Sequence, residues 1–151
     1  MKLFVFSSKN LTNIWAGIGS NTWAVAERDT SGMKALVTKA KRMPIGSIGI
    51  FYCSEIQSLT TPFIIYSHIN ETHKVNNIWS NEWVLPFKIH PLGNPNKYFT
   101  KDEAMEILPV LKSSEKTNIT HVLPISAMQL FTPKDISEND WEILLNKLCS
   151  K

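Results

Sequence analysis

The chain is poor in the residues that announce covalent or metal chemistry. Its 151 residues include two cysteines, Cys53 and Cys149, far apart and in no C-x-x-C pair. That argues against a zinc site and against a disulfide scaffold. Its four histidines never take the H-E-x-x-H spacing that sets two ligands on one helix face: His68 and His73 are five apart, and His90 and His121 stand alone. With six glycines there is no P-loop and no G-x-G-x-x-G, since Gly17-Ile18-Gly19 has no third glycine and leads into Asn21-Thr22-Trp23. No G-x-S-x-G occurs, and Ser7-Ser8-Lys9 lacks the S-x-x-K spacing. No metal, cofactor or catalytic set is therefore expected, and the acids of the C-terminal region read as solvated helix faces. No apolar run approaches a membrane span, and Met1–Phe6 is too short for a signal peptide. The expectation is a cytoplasmic protein without membrane contact, in which Asn10-Leu-Thr12, Asn70-Glu-Thr72 and Asn118-Ile-Thr120 carry no weight as glycosylation sequons.

What the chain does have is aromatic mass. Hydrophobic residues make up 43% and charged residues 19%, a globular composition, and five tryptophans are generous for this length. The net charge of +3 is too small to announce nucleic acid. Its distribution is more telling: residues 1–75 hold eight Lys/Arg against four Asp/Glu, residues 76–151 eight against nine. The basic excess lies in the half that contains Trp23.

Hydrophobic patterning predicts a mixed order of elements. Leu3-Phe4-Val5-Phe6 reads as a first strand buried on both faces, ending at the polar cluster Ser7–Asn10. Leu11–Ile18 can hold one or two helical turns, which Gly17 and Gly19 should stop. Thr22–Val25 is extended, Thr30–Gly32 a turn, and Met33–Lys41 a short helix ending in cations. Ser47–Cys53 reads as a central strand whose glycines imply close approach or curvature. Phe63–Ile69 follows as a strand started by Pro62, then Trp83–His90, in which Pro86 demands an edge or a bulge. Thr100 and Glu103 form a capping box ahead of a helix that Pro109 kinks or ends. His121–Phe131 is ambiguous, and Ser137–Asp140 caps a last helix with Trp141, Leu144, Leu145 and Leu148 on its buried side. Irregular alternation of strands and helices points away from a doubly wound sheet. The fold class expected is α+β: a curved, barrel-like mixed sheet flanked by helices, one domain over residues 1–151.

One stretch suggests a use. Trp23 sits among small and polar residues, and Ile14–Asn21 reads as flexible and polar enough to leave one face of its ring open as a platform for a flat ligand. Ser8, Lys9 and Asn13 lie just upstream and could hydrogen-bond the edge of a base stacked on that platform. A flipped base must recover a few kcal/mol of lost stacking, and one aromatic returns roughly 1–3 kcal/mol. A second plate is needed. Trp79 and Trp83 are the candidates: Trp79 stands between polar neighbours, whereas Trp83 begins an apolar strand and reads more readily as core, as do Trp15 and Trp141. Lys34, Lys39, Lys41 and Arg42 could track phosphates, or could be an ordinary solvated helix end.

These residues resemble a known family. Lys2–Phe6, Asn13 and Asn21-Thr22-Trp23-Ala24-Val25 are similar to the opening of EVE and YTH domains of the PUA-like superfamily. The likeness continues through Met33–Arg42, Pro44–Tyr52, Trp83–Phe87 and Ile136–Trp141. Ser47 replaces the usual acidic residue of the EVE form, and Pro44-Ile45-Gly46 replaces its Pro-Gly. The resemblance implies a PUA-like barrel that reads a modified nucleobase in an aromatic cage. It makes Trp23 one wall, Ala24 a backbone contact, and Asn13, Ser8 and Lys9 base contacts; the second wall does not transfer, so Trp79 is placed by position alone. It further implies a reader of modified cytosine or N6-methyladenine, in DNA rather than RNA. The partner would be a nuclease or NTPase effector, fused or separate, of a McrBC-type restriction system. The alternatives are a small ASCH-like hydrolase acting on a modified nucleoside, for which no Lys-Thr-Glu set can be placed, an RNA-binding regulator, and a protein-interaction module.

Overall fold

The computed structural model describes residues 1–149. Strand β1 (Lys2–Ser8) alternates Phe4 and Phe6 with Leu3 and Val5, and all four are buried. An alternation with both faces apolar places a strand between two cores, and two cores are found. Phe4 and Phe6 join one built around Trp23, Phe51, Phe63 and Phe87, whereas Leu3 and Val5 join another with Ile50, Leu59, Leu108 and Leu144. The first strand is as the sequence predicts.

Helix α1 (Leu11–Ser20) is capped by Asn10, whose side chain accepts from the Asn13 amide. It passes through Gly17 and Gly19 and ends only where Asn21 turns left-handed. The loop expected over Ile14–Asn21 is therefore helix. Its packing explains why: a Cβ on Gly17 would lie 2.8 Å from Cε3 of Trp23, so this glycine marks contact between helix and ring, not a break. Strand β2 (Thr22–Ala26) follows, then α2 (Thr30–Ala40), capped by Asp29. The residues expected as a turn, Thr30–Gly32, are the first turn of this helix, because the Asp29 carboxylate accepts from the Gly32 amide at 2.7 Å.

Strands β3 (Ile48–Cys53), β4 (Ser58–Ile65), β5 (Lys74–Val75), β6 (Trp83–Pro91) and β7 (Tyr98–Thr100) come next. Helices α3 (Lys101–Ile107) and α4 (Pro109–Lys112), β8 (Lys134–Asp135) and α5 (Glu138–Leu148) complete the order. The sheet runs β2-β6-β4-β3-β1-β8, with β5 added to β6 and β7 to β4. Among the described residues only β1 and β3 pair in parallel; the other ladders are antiparallel. This is the curved mixed sheet flanked by helices that the sequence predicts, and it stays open, with β2 and β8 at its ends.

Two prolines produce the curvature. Phe63 and Thr60 of β4 face Gly49 and Phe51, so Thr61-Pro62 oppose Ile50 alone. Phe87 and Val84 of β6 face Trp23 and Val25, so Leu85-Pro86 oppose Ala24 alone. Each is a β-bulge, and Thr61 and Leu85 have positive φ (54° and 56°). A bulge takes a residue out of the ladder and bends its strand, which is how proline is tolerated there. Pro86 thus meets the bulge expectation, whereas Pro62 lies inside its strand and does not start it.

At the far end, Asp140 is buried and ties two helices together. Its carboxylate accepts from the Ser137 amide and hydroxyl (2.9 and 2.8 Å) and from the Val110 amide (2.9 Å). The capping box expected at α3 is half formed, whereas the cap expected at α5 is a full box. Thr100 accepts from the Glu103 amide at α3, and only Ser137–Asp140 shows both reciprocal bonds.

Candidate functional site

A cavity of about 410 Å³ opens where the end of β1, the start of α1, β2 and the start of β6 meet the segment 125–130. Trp23 and Trp83 supply its aromatic surface, and Ser8, Lys9, Asn13 and Asn81 much of its polar rim. Among the described residues Lys9 is the one ionisable side chain in the lining. Tyr52 and Cys149, whose proton affinities burial pushes up, line no part of it; nor does Asp135, whose carboxyl is held down by its hydrogen bond to Lys2.

The two indoles differ in how they meet the cavity. Trp23 is 2% exposed. Its ring is hemmed by Phe51 (centroids 4.5 Å apart), Trp79 (5.4 Å) and Trp83 (5.3 Å), and by Gly17 of α1. The open platform expected at Trp23 is not what the structure shows, because α1 seats on the ring where a flexible loop was anticipated. Trp23 is core and cavity floor together. Trp83, the first residue of β6, is half-buried and carries more of the accessible indole surface. Trp79 is buried behind it, stacked on Trp83 at 4.4 Å and 26°, and its Nε1 donates to the Asn13 carbonyl at 3.0 Å. It does not line the cavity.

Asn13 is held from both sides, its amide donating to the Asn10 side chain and its carbonyl accepting from Trp79. Its own side-chain amide makes no hydrogen bond among the described residues, nor do the side chains of Lys9 and Asn81. All three line the cavity, and using their donors would break no internal bond. The Ser8 hydroxyl is already committed to the Asn10 carbonyl at 2.8 Å and keeps only acceptor capacity. Ala24 lies opposite the β6 bulge on the cavity wall.

The outer wall is the segment Ile125–Leu130, which contains a 3-10 turn at Ala127–Gln129. Three side chains from remote elements hold it by main-chain carbonyls. The Ser7 hydroxyl donates to Ile125, the Arg28 guanidinium to Ala127, and Lys39 to Met128 at 3.0 Å, with Lys39 also reaching Thr132 at 3.2 Å. Of the four cations considered for phosphate contact, Lys39 is thus occupied in the wall and Lys41 pairs with Glu71 at 3.1 Å. Lys34 and Arg42 are exposed, and none of the four lines the cavity.

The chain's course can be compared with solved structures. The YTH domain of Zygosaccharomyces rouxii MRB1, solved with N6-methyladenosine RNA, matches 99% of this chain and 89% of its own at a TM-score of 0.59 and 15% identity. The fold is YTH-like. The YTH domain of Pho92, solved in complex with m6A, matches over 96% and 84% at a TM-score of 0.59 and 13% identity. The Toxoplasma CPSF4 YTH domain in its apo form matches over 96% and 83% at 0.56 and 15%. No family model matches the chain, and no curated protein resembles it in sequence. At such identities a YTH-like fold is shared architecture, and function has to be argued from the cavity itself.

Of the residues singled out from sequence, Ser8, Lys9, Asn13, Trp23 and Ala24 come together at this cavity within the YTH-like fold. Trp83, the second-plate candidate that reads as core, lines it as well, whereas Asn81, Ser54 and the wall 125–130 were not anticipated. For Trp83 a signal existed: the first residue of a strand stands half outside the sheet. The wall gives no local signal, since Ser7 and Ile125 lie 118 positions apart.

Proposed function

We propose that this protein reads a modified nucleobase, extruded from a strand or already unpaired, at the cavity between Trp83 and the wall 125–130. The observation that carries the reading is the pairing of indole surface with three uncommitted donor side chains, Lys9, Asn13 and Asn81, in one recess of about 410 Å³. Ligand sites of roughly 300–1,000 Å³ with apolar walls and a few convergent polar groups are the usual form of small-ligand recognition. A base face gains roughly 1–3 kcal/mol on each aromatic it meets. An added methyl group needs an apolar contact, which Ile125 and Leu130 supply. Among the described residues the lining holds no histidine, cysteine or carboxylate, which supports binding over hydrolysis. Lys9 at the mouth suits the adjoining phosphate.

N6-methyladenosine in RNA is the first ligand to test, because YTH domains of the same architecture were solved with it. The finer reading drawn from the EVE likeness, modified cytosine or N6-methyladenine in DNA with a restriction effector as partner, is tested alongside. Calorimetric titration at one fixed salt concentration compares matched RNA and DNA oligonucleotides, plain, N6-methylated or carrying 5-methylcytosine or 5-hydroxymethylcytosine. A preference of tenfold or more, about 1.4 kcal/mol, for one modified strand is the expected result. Equal affinity for modified and plain strands would remove the reader function.

A further inference from the structure

Thr22 and Trp23 are consecutive on β2, so their side chains point to opposite faces of the strand. Trp23 lines the cavity described above. Thr22 lines a second one, of about 620 Å³, between β2, the middle of β6 and the segment 67–78.

The charge around this second cavity is one-sided. Lys88, His68 and His73 all line it, and no carboxylate among the described residues does. Lys88 sits across from Thr22 in the β2–β6 ladder and reaches its hydroxyl at 3.1 Å, with no acid paired to it among the described residues. Glu71, the acid within the segment 67–78, does not line the cavity and is engaged with Lys41. The side chains of His68, His73 and Asn77 make no hydrogen bond among the described residues, and all three are exposed. Beneath this rim Val75, Pro86 and Phe87 provide an apolar floor. A concavity with an ammonium, two imidazoles and an amide on its rim, and apolar carbon below, matches an amphiphilic anion: a phosphate above and a sugar or base below.

We infer that this second cavity binds the phosphate of a nucleotide, either a free nucleoside monophosphate or a phosphodiester of a bound strand. The inference does not rest on base reading at the first cavity, because the two sites share no lining residue.

Amide NMR of the intact chain tests it, with inorganic phosphate, adenosine 5′-monophosphate and an unmodified RNA oligonucleotide as probes. Adenosine monophosphate is expected to shift Ser67–Ile78 and Phe87–Lys88 and to leave Ser8–Asn13 and Ser126 in place. Shifts there with the mononucleotide identify a free ligand; shifts with the oligonucleotide alone identify the strand's own phosphate. Lys88→Ala should weaken the shifting probe about tenfold or more, the usual worth of a charged hydrogen bond. Should that variant misfold, His73→Ala, exposed and unbonded, serves in its place. Three results would overturn the proposal: no shift with any probe, shifts confined to the first cavity, or affinity unchanged in both variants. Equal affinity for inorganic phosphate and the nucleotide would overturn the nucleotide assignment. Failure of base reading is a separate observation, made on the indole resonances of Trp23 and Trp83.

Discussion

Trp79 and Trp83 lie stacked, ring centroids 4.4 Å apart and planes 26° from parallel, with Trp23 edge-on to both at 5.4 and 5.3 Å. Rings stacked this closely leave no space for a base between them. In the proposed reading a base meets the free side of Trp83, with Trp79 stacked behind it. Trp83→Ala is expected to cost about fivefold or more in affinity for the preferred modified strand, given about 1–3 kcal/mol per stacked base. Trp79→Phe, which keeps a ring but loses the bond to the Asn13 carbonyl, should weaken binding less, and mainly through stability. Titration and urea unfolding of both variants separate the two roles; equal affinity losses in well-folded protein would place Trp79 in direct contact.

Gly17→Ala sets two effects against each other. Alanine favours a helix by about 1 kcal/mol over glycine. The new Cβ, however, would stand 2.8 Å from the Trp23 ring and 3.2 Å from the Thr22 carbonyl, and overpacking a core costs typically about 1–3 kcal/mol. Because Trp23 is enclosed by three other rings, the clash should win. A lower urea midpoint with an altered near-ultraviolet dichroism band is expected; a raised midpoint would show that the ring has room to move.

The wall of the first cavity should loosen without unfolding the protein. Arg28→Ala together with Lys39→Ala removes the donors to the Ala127 and Met128 carbonyls and leaves every cavity-lining side chain in place. Binding is expected to weaken several-fold, with faster amide exchange at 126–130 and little change in melting temperature. Unchanged exchange in that segment would count against its anchoring by these cations.

Asp140→Ala is a test of stability alone. It strips three hydrogen bonds from a buried carboxylate that joins the start of α4 to the start of α5. Bonds to a charged group are worth about 1.5–3 kcal/mol each, with partial compensation by water. A net loss of about 2–4 kcal/mol in chemical denaturation is expected, with modified-strand preference retained in the folded fraction.

The two thiols should differ from each other and from a free one. Cys53 is buried in the Trp23 core, and burial pushes the Cys149 thiol up from its ordinary value. A raised value leaves less thiolate at pH 8, so Cys149 should react with a disulfide reagent more slowly than a small thiol, gaining rate as pH increases. Cys53 should react only on unfolding. Two fast thiols in native protein would contradict this placement.

Much of this architecture is legible in the chain, and the failures have identifiable causes. β1 declares itself because Leu3 to Phe6 are apolar on both faces. α5 does so because Ser137 and Asp140 spell out its cap. Gly17 and Gly19 misled in the other direction: read locally, they end a helix, whereas Gly17 is there because Trp23 needs its space. The same error, made once, turned Trp23 into an exposed platform. Trp83 reads as core since apolar residues follow it, yet its place at the head of β6 leaves it half outside. Residues 121–131 show no period at all, because what fixes them is donors far away in sequence, at Ser7, Arg28 and Lys39.

That last arrangement bears on how such a site can change. The anchors of the wall grip main-chain oxygens, which every amino acid carries, so they place no demand on the side chains between Ile125 and Leu130. In the proposed reading, substitutions at Ser126 and Ala127, which are exposed and line the cavity, can remodel which chemical group on a base is accommodated while the frame of strands and stacked indoles stays as it is. Selectivity and architecture are written in separate parts of the molecule, and one can drift while the other is held.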